Sequence, residues 1–224
     1  MYQHLVGRLI YPSHTKPNIA YVISVISQFM HSSKKVHLQV TNRGLQYLEG
    51  YSGKGILFKR SSELVLKAYT NVNHIGFVVD ERSTTGYCTL FGRNLVTWRS
   101  KKQSSVAKSS AEAKFRTMAQ GICELLWLKI ILENLKNKED GSMRLYYDNK
   151  SVIDIVHNSM QHDQTKHIEI KRHFIKEKLD NGLNYTPYIS TDHQLANMFT
   201  KGLSNTVFQA SVSKLGKKNI YSPA

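Results

Sequence analysis

Residues Gly86–Gln103, GYCTLFGRNLVTWRSKKQ, followed closely by Ser109–Leu135, SSAEAKFRTMAQGICELLWLKIILENL, set the architecture. The first stretch holds two short runs, Gly86–Phe91 and Leu95–Ser100, rich in β-branched, aromatic and aliphatic residues and parted by Gly, Arg and Asn. That pattern predicts two antiparallel strands. In the second, Phe115, Met118, Ala119, Ile122, Leu125 and Leu126 fall at offsets 0, 3, 4, 7, 10 and 11, one apolar stripe on a long helix. Ser109 and Ser110 precede it without a Gly-x-Ser-x-Gly elbow, so they read as capping residues and not as nucleophiles.

Working outward, Ile56–Lys59 and Leu64–Thr70 read as further strands upstream. Downstream, a loop at Lys136–Ser142 leads to a strand at Met143–Tyr147, helices at Asn149–His157 and Thr165–Leu179, a strand at Leu183–Ile189 and a short helix at His193–Thr200. The order βββ-α-β-α-α-β-α predicts a mixed α/β fold, a mixed sheet with helices packed on it. Residues 1–60 are different, with eight basic residues against the single acid Glu49. There Ile19, Val22, Ile23, Ile26, Phe29 and Met30 mark a helix starting at about Pro17. A second helix is expected over Ser33–Glu49, with Val36, Val40, Leu45 and Leu48 inward. This hairpin has too little core to stand alone. In the tail, Phe208, Val212 and Leu215 stand at helical spacing.

The 224 residues carry 31 Lys+Arg against 16 Asp+Glu, a formal charge of +15, which favours a polyanionic partner. No apolar run approaches the ~18 residues of a membrane helix, and the N-terminus lacks signal-peptide order. A non-secreted protein without a membrane partner, cytoplasmic or nuclear, is expected. Cys88 and Cys123 are too few for a disulfide framework and read as packing thiols. His157, His162, His167 and His173 lack the spacing and companions of a zinc site. Arg99, Lys101, Lys102 and Lys108 could track a phosphate backbone, and Lys171, Arg172, Lys176 and Lys178 add a second basic face; solvated surface is the commoner role of such runs. Asp148, at a strand end where a helix begins, reads by itself as an N-cap.

Several motifs together carry a resemblance: Tyr2–Tyr11 (YQHLVGRLIY), Thr15–Tyr21 (TKPNIAY), Arg82–Tyr87 (RSTTGY), Thr97–Gln103 (TWRSKKQ), Ser109–Ala113 (SSAEA), Tyr147–Asn149 (YDN), Thr165–Glu169 (TKHIE) and Phe199–Lys201 (FTK). Over essentially its whole length the chain resembles the end of a plant copia-type retrotransposon Pol polyprotein. The resemblance implies a helical C-terminal remnant of reverse transcriptase, thumb- or connection-like, at residues 1–58. It implies a ribonuclease H-like domain, a mixed five-stranded sheet with flanking helices, at 59–203, and leaves a basic tail at 204–224. Integrase and the polymerase palm would be missing, and an upstream reverse transcriptase region is an implied partner. Domains of this family cut the RNA strand of RNA–DNA hybrids with two divalent cations, Mg²⁺ or Mn²⁺, about 4 Å apart, held by four acids.

By motif position the four acids correspond to Asn71, Lys114, Asp148 and Asn197. Only Asp148 remains as a metal ligand. Asp148 and Lys114 cancel, so roughly four units of negative charge are missing opposite the two cations. Glu112 is a candidate stand-in for the second acid, although positions two apart on a helix do not share a face. Asn73-His74 also replaces an acid–aromatic pair. Each catalytic-site change is reachable by one G-to-A codon change, which hints at unselected decay. Three readings stay open: a hydrolytically degenerate fragment, a binding module for hybrid or structured nucleic acid, and an active nuclease with an unconventional metal shell.

Overall fold

The computed structural model describes residues 1–50, 53–61, 64–74, 81–136, 143–157, 166–180 and 186–219. The N-terminal part is three helices, α1 (Tyr2–Thr15), α2 (Ala20–Ser27) and α3 (Lys35–Gly50), with a 3₁₀ turn at Pro17–Ile19 leading into α2. Pro17 at the first position of that turn costs nothing, because no helical N–H is required there. Val6, Leu9, Ile19, Ile23 and Ile26 form their shared core. The inward face of α3 differs from expectation: Val36 is 63% exposed and Val40 37%. Leu45 and Leu48 pack against the core as expected, joined by Leu38, and Thr41 on the same helix is fully buried. Thr41 satisfies its hydroxyl on the His37 carbonyl at 2.9 Å, which lets a polar residue hold the centre of the stripe.

The main sheet has the order β4-β3-β2-β5, from β2 (Leu66–Asn73), β3 (Thr84–Phe91), β4 (Asn94–Lys102) and β5 (Arg144–Tyr146), preceded in the chain by β1 (Lys54–Ile56). β2–β3 and β3–β4 are antiparallel and β2–β5 is parallel, so the sheet is mixed. The segment expected as a fifth strand, Leu183–Ile189, meets β5's end at a parallel bridge between Tyr147 and Tyr188. Residues 181–185 lie outside the described residues, as do 137–142 of the expected loop and His162. The segment at 56–59 does not join this sheet. β1 pairs antiparallel with β6 (Lys217–Asn219) in a separate ribbon, because its partner comes from the tail.

α4 (Ser110–Asn134) lies across β2 and buries Phe115, Met118, Ile122 and Leu125 against Leu66, Ala68 and Leu145. The Ser109 hydroxyl accepts the Glu112 N–H at 3.1 Å, capping the helix as its sequence position predicts. Gly121 permits the close approach, since a Cβ there would collide with the Thr70 side chain. α5 (Lys150–His157) and α6 (Lys166–Asp180) complete that layer. The opposite face is covered by the 3₁₀ segment Leu195–Phe199 and by α7 (Asn205–Lys214), with Phe199, Val212 and Leu215 on Cys88, Leu90 and Leu95. β3 is therefore buried along nearly its whole length. Cys88 packs there as expected, while Cys123 is exposed on α4 and is not a packing residue. Among the described residues no helix is long and apolar enough to cross a membrane.

Candidate functional site

The parallel register of β2 and β5 places Tyr69 beside Tyr146. Continuing each strand by two residues brings Asn71 and Asp148 out at one sheet edge. α4 contributes Lys114 from its second turn, fixed by the Tyr147 hydroxyl donating to the Lys114 carbonyl at 3.3 Å. The last arm is the 3₁₀ segment after His193. Gln194 donates to the Thr70 carbonyl at 3.1 Å, and Gly86 leaves room for it, since a Cβ there would stand 2.6 Å from Thr200 Cγ2. The sequence-based expectation of an α-helix over His193–Thr200 is corrected to two 3₁₀ turns, Thr191–His193 and Leu195–Phe199.

Asn71 and Asn197 meet directly. Asn71 Nδ2 donates to Asn197 Oδ1 at 2.5 Å, while Asn71 Oδ1 accepts the Val72 N–H at 2.7 Å and Asn197 Nδ2 donates to the Thr191 carbonyl at 2.7 Å. These partners fix the orientation of both amides, with each oxygen accepting. Asn197 is 5% exposed and stands behind Asn71 as its hydrogen-bond partner, outside the cavity lining. Asn71, Lys114, Asp148, Asn149 and Lys201 share a cavity of about 320 Å³. Burial pushes the Asp148 carboxyl up, opposed by the Lys201 and Lys114 ammonium groups. Asp148 is not the helix cap: Asn149 Oδ1 accepts the Val152 N–H at 3.0 Å, because the side chain one residue nearer the helix has the right reach.

Glu112 is placed elsewhere. Its carboxylate accepts the Lys108 N–H at 2.8 Å and pairs with Arg116 at 2.6 Å. Burial raises its pKa, but the Lys108 N–H, Arg116 and Lys171 outweigh that and hold it below the usual range. It does not line the Asp148 cavity.

This donor set does not fit a pair of divalent cations. Among the described residues Asp148 is the one carboxylate lining the cavity, two ammonium groups act on it, and both amide oxygens already accept N–H groups. Among the described residues no three His, Cys, Asp or Glu side chains cluster as metal ligands. A Mg²⁺ site is commonly built on one or two carboxylates with water and substrate oxygens, and a pair of such cations needs more anionic oxygen than one carboxylate opposed by two ammonium groups supplies.

The other flank of α4 carries a larger cleft of about 720 Å³ between β3, β4, α4 and α6. Arg99, Lys101, Lys102 and Lys171 line it, joined by Arg82 and Arg116. Lys108 and Arg172 do not line it. Burial and then Arg116 lower the Lys171 pKa, against Glu112. Gln103, 5% exposed, ties β4 to the helix by donating to Thr85 Oγ1 at 3.1 Å and the Ala113 carbonyl at 3.0 Å. Sequence reasoning passed over Arg82, Arg116, Asn149 and Lys201. Arg116 was signalled by its spacing of four from Glu112; Lys201 lies in a quoted motif, but only the folded chain brings it to Asp148.

No protein-family model matches the chain. It is 37% identical over 215 residues to the retrovirus-related Pol polyprotein from transposon RE1 of Arabidopsis thaliana, covering 96% of this chain and 15% of that protein. It is 33% identical over 216 residues to the corresponding polyprotein from transposon TNT 1-94 of Nicotiana tabacum, covering 96% and 16%. Among solved structures it is similar to an N-terminal RNase H domain from Mycobacterium tuberculosis, with TM-score 0.46, 8% identity and coverage of 67% and 97%. RNase H1 from Halobacterium salinarum gives TM-score 0.46, 11% identity and coverage of 65% and 98%. The chain thus spans about 15% of the length of the curated relatives it matches, and it belongs to the family of retrovirus-related Pol polyproteins of copia-type plant transposons.

Proposed function

We propose that this chain is a ribonuclease H-like segment of a copia-type Pol polyprotein, residues 59–203, carrying a helical reverse-transcriptase remnant at 1–58 and a tail at 204–224. It binds RNA–DNA hybrid or related nucleic acid and does not hydrolyse it. The observation that carries this reading is the Asn71–Asn197 amide pair beside Asp148 and Lys114. Amides and an ammonium group stand where two-metal hydrolysis calls for carboxylates. Without those charges, Mg²⁺ or Mn²⁺ gains too little on leaving water to be held as a reactive pair.

The basic cleft supports retained binding. Six Lys and Arg side chains lining one concave surface supply backbone contacts that do not depend on the carboxylate site. The test is a labelled RNA–DNA duplex incubated with Mg²⁺ or Mn²⁺. The expected result is binding that weakens steeply with salt, with no cleavage. Metal-dependent cleavage that disappears in Asp148→Asn would replace this reading with that of an active nuclease. A flat salt response would remove the nucleic-acid partner.

A further inference from the structure

We propose that the cavity at Asp148 is itself a metal-independent receptor for one phosphodiester of the bound nucleic acid, with Lys114 and Lys201 supplying directly the positive charge. This rests on the nucleic-acid reading above and assigns a ligand to the cavity that reading leaves without a metal.

The charge balance comes first. Among the described residues two ammonium groups, Lys114 and Lys201, line the cavity against one carboxylate, Asp148, leaving one formal positive charge. A phosphodiester monoanion neutralises it; a divalent cation would raise it to three. In a cavity partly screened from water these differences weigh more than at open surface.

The neutral wall comes second. Four carboxylates would repel a phosphate unless cations stood between them. Here Asn71, on the cavity lining, is held by its hydrogen bond to the Asn197 amide behind it, so this wall carries no charge, needs no ion and opposes no anion. Asn149 commits its oxygen to the Val152 N–H, leaving its amide N–H₂ as the donor available to a ligand. Donors therefore line the cavity from Lys114, Lys201 and Asn149, which is the chemistry of a phosphate site.

Continuity is the third. Lys114 lines this cavity while Arg116, two residues on, lines the basic cleft on the other flank of α4. A strand laid across the first turns of α4 meets both, and its phosphates occupy a cation-lined path on each side.

The test measures the intact chain on a labelled RNA–DNA hybrid across a salt series, in EDTA and in Mg²⁺ at matched ionic strength. Affinity in EDTA should equal or exceed that in Mg²⁺. Lys114→Gln with Lys201→Gln should cost roughly tenfold in affinity and lower the salt slope by about 1, the share of a single phosphate. A direct probe uses inorganic phosphate: in EDTA it should shift the Asn149 side-chain amide resonances, and MgCl₂ should not. If the parent fails to bind hybrid, the nucleic-acid reading falls. If the parent binds, yet the double variant keeps affinity and slope, or MgCl₂ alone shifts Asn149, that reading stands and the phosphate receptor is overturned.

Discussion

Asn71 and Asn197, 126 residues apart in the chain, share a hydrogen bond of 2.5 Å between their side-chain amides. One is at the end of a strand and the other in a 3₁₀ turn, so the bond exists only because β2 and the Leu195–Phe199 segment are brought face to face. Replacing both amides by carboxylates would set two negative charges in contact, tolerable only with a cation between them or a proton shared by them.

Charge restoration is the first prediction. Asn71→Asp alone should destabilise the fold by about 1–3 kcal/mol, because Asn197 Oδ1 loses its donor and meets an acceptor. The triple variant Asn71→Asp, Lys114→Glu, Asn197→Asp should melt lower still in EDTA, recover with Mg²⁺ or Mn²⁺, and cut RNA–DNA hybrid in a manner abolished by Asp148→Asn. Single reversions should leave cleavage absent, since residues acting as a unit are strongly non-additive. Identical melting of the triple variant in EDTA and Mg²⁺ would show that the four positions do not form one cation site.

A second prediction concerns packing under α4. In an exposed helix Gly→Ala stabilises by about 1 kcal/mol. At Gly121 the sign should reverse, because the added methyl strikes Thr70 and comes within 3.0 Å of Leu145 Cδ1. Overpacking of this kind costs about 1–3 kcal/mol. Denaturant titration of Gly121→Ala decides it, and a raised midpoint would contradict the contact.

Alkaline pH gives a third. Burial, with Lys16 and Lys54 nearby, pulls the Lys217 pKa down to about 8. The unfolded chain therefore holds this proton more tightly than the folded one, and folding stability must rise with pH from roughly 8 towards the free-lysine value near 10.4. The penalty is fully present below the folded pKa. With Lys217 half-buried and screened by solvent, the gain should be roughly 1 kcal/mol. Melting temperature should climb between about pH 8 and 10.4. In Lys217→Gln that climb should flatten and the neutral-pH value rise.

The fourth addresses how the N-terminal helices hold to the sheet. Trp98 Nε1 donates to the Ser13 carbonyl at 2.9 Å, linking β4 to the end of α1. Trp98→Phe keeps the ring packing and removes the donor, at a cost of about 1 kcal/mol. Hydrogen exchange should quicken in α1 while β2 and β3 stay protected. Unchanged α1 protection would mean that this bond carries none of the docking.

Much of this was legible from periodicity. The stripe from Phe115 to Leu126 gave α4, and the alternating, β-branched runs gave the three antiparallel strands, because local patterns report which face is buried. Val36 and Val40 misled because the true stripe of α3 passes through Thr41, and a rule that counts only apolar residues picks the neighbouring phase. Asp148 and Asn149 are both capable caps, and reach rather than residue type selects Asn149. The convergence of Asn71, Lys114, Asp148 and Asn197 followed from family motifs. The hydrogen bond between the amides, the approach of Lys201 and the pairing of β1 depend on contacts between residues far apart in the chain, which no local pattern encodes.

That pairing has a temporal consequence. Lys54 of β1 finds its partner at Asn219 of β6, and Leu57 N–H bonds the Gly216 carbonyl at 3.0 Å. During synthesis β1 leaves the ribosome with no strand to pair with until β6, at Lys217–Asn219, has been added. Closing so long a loop is slow compared with the local steps that form α4 or the β3–β4 hairpin. The ribbon therefore acts as a clasp that shuts last. A nascent or prematurely terminated copy would carry its sheet and α4 but leave β1 unpaired, and an unpaired strand edge is the feature quality control and neighbouring chains find first.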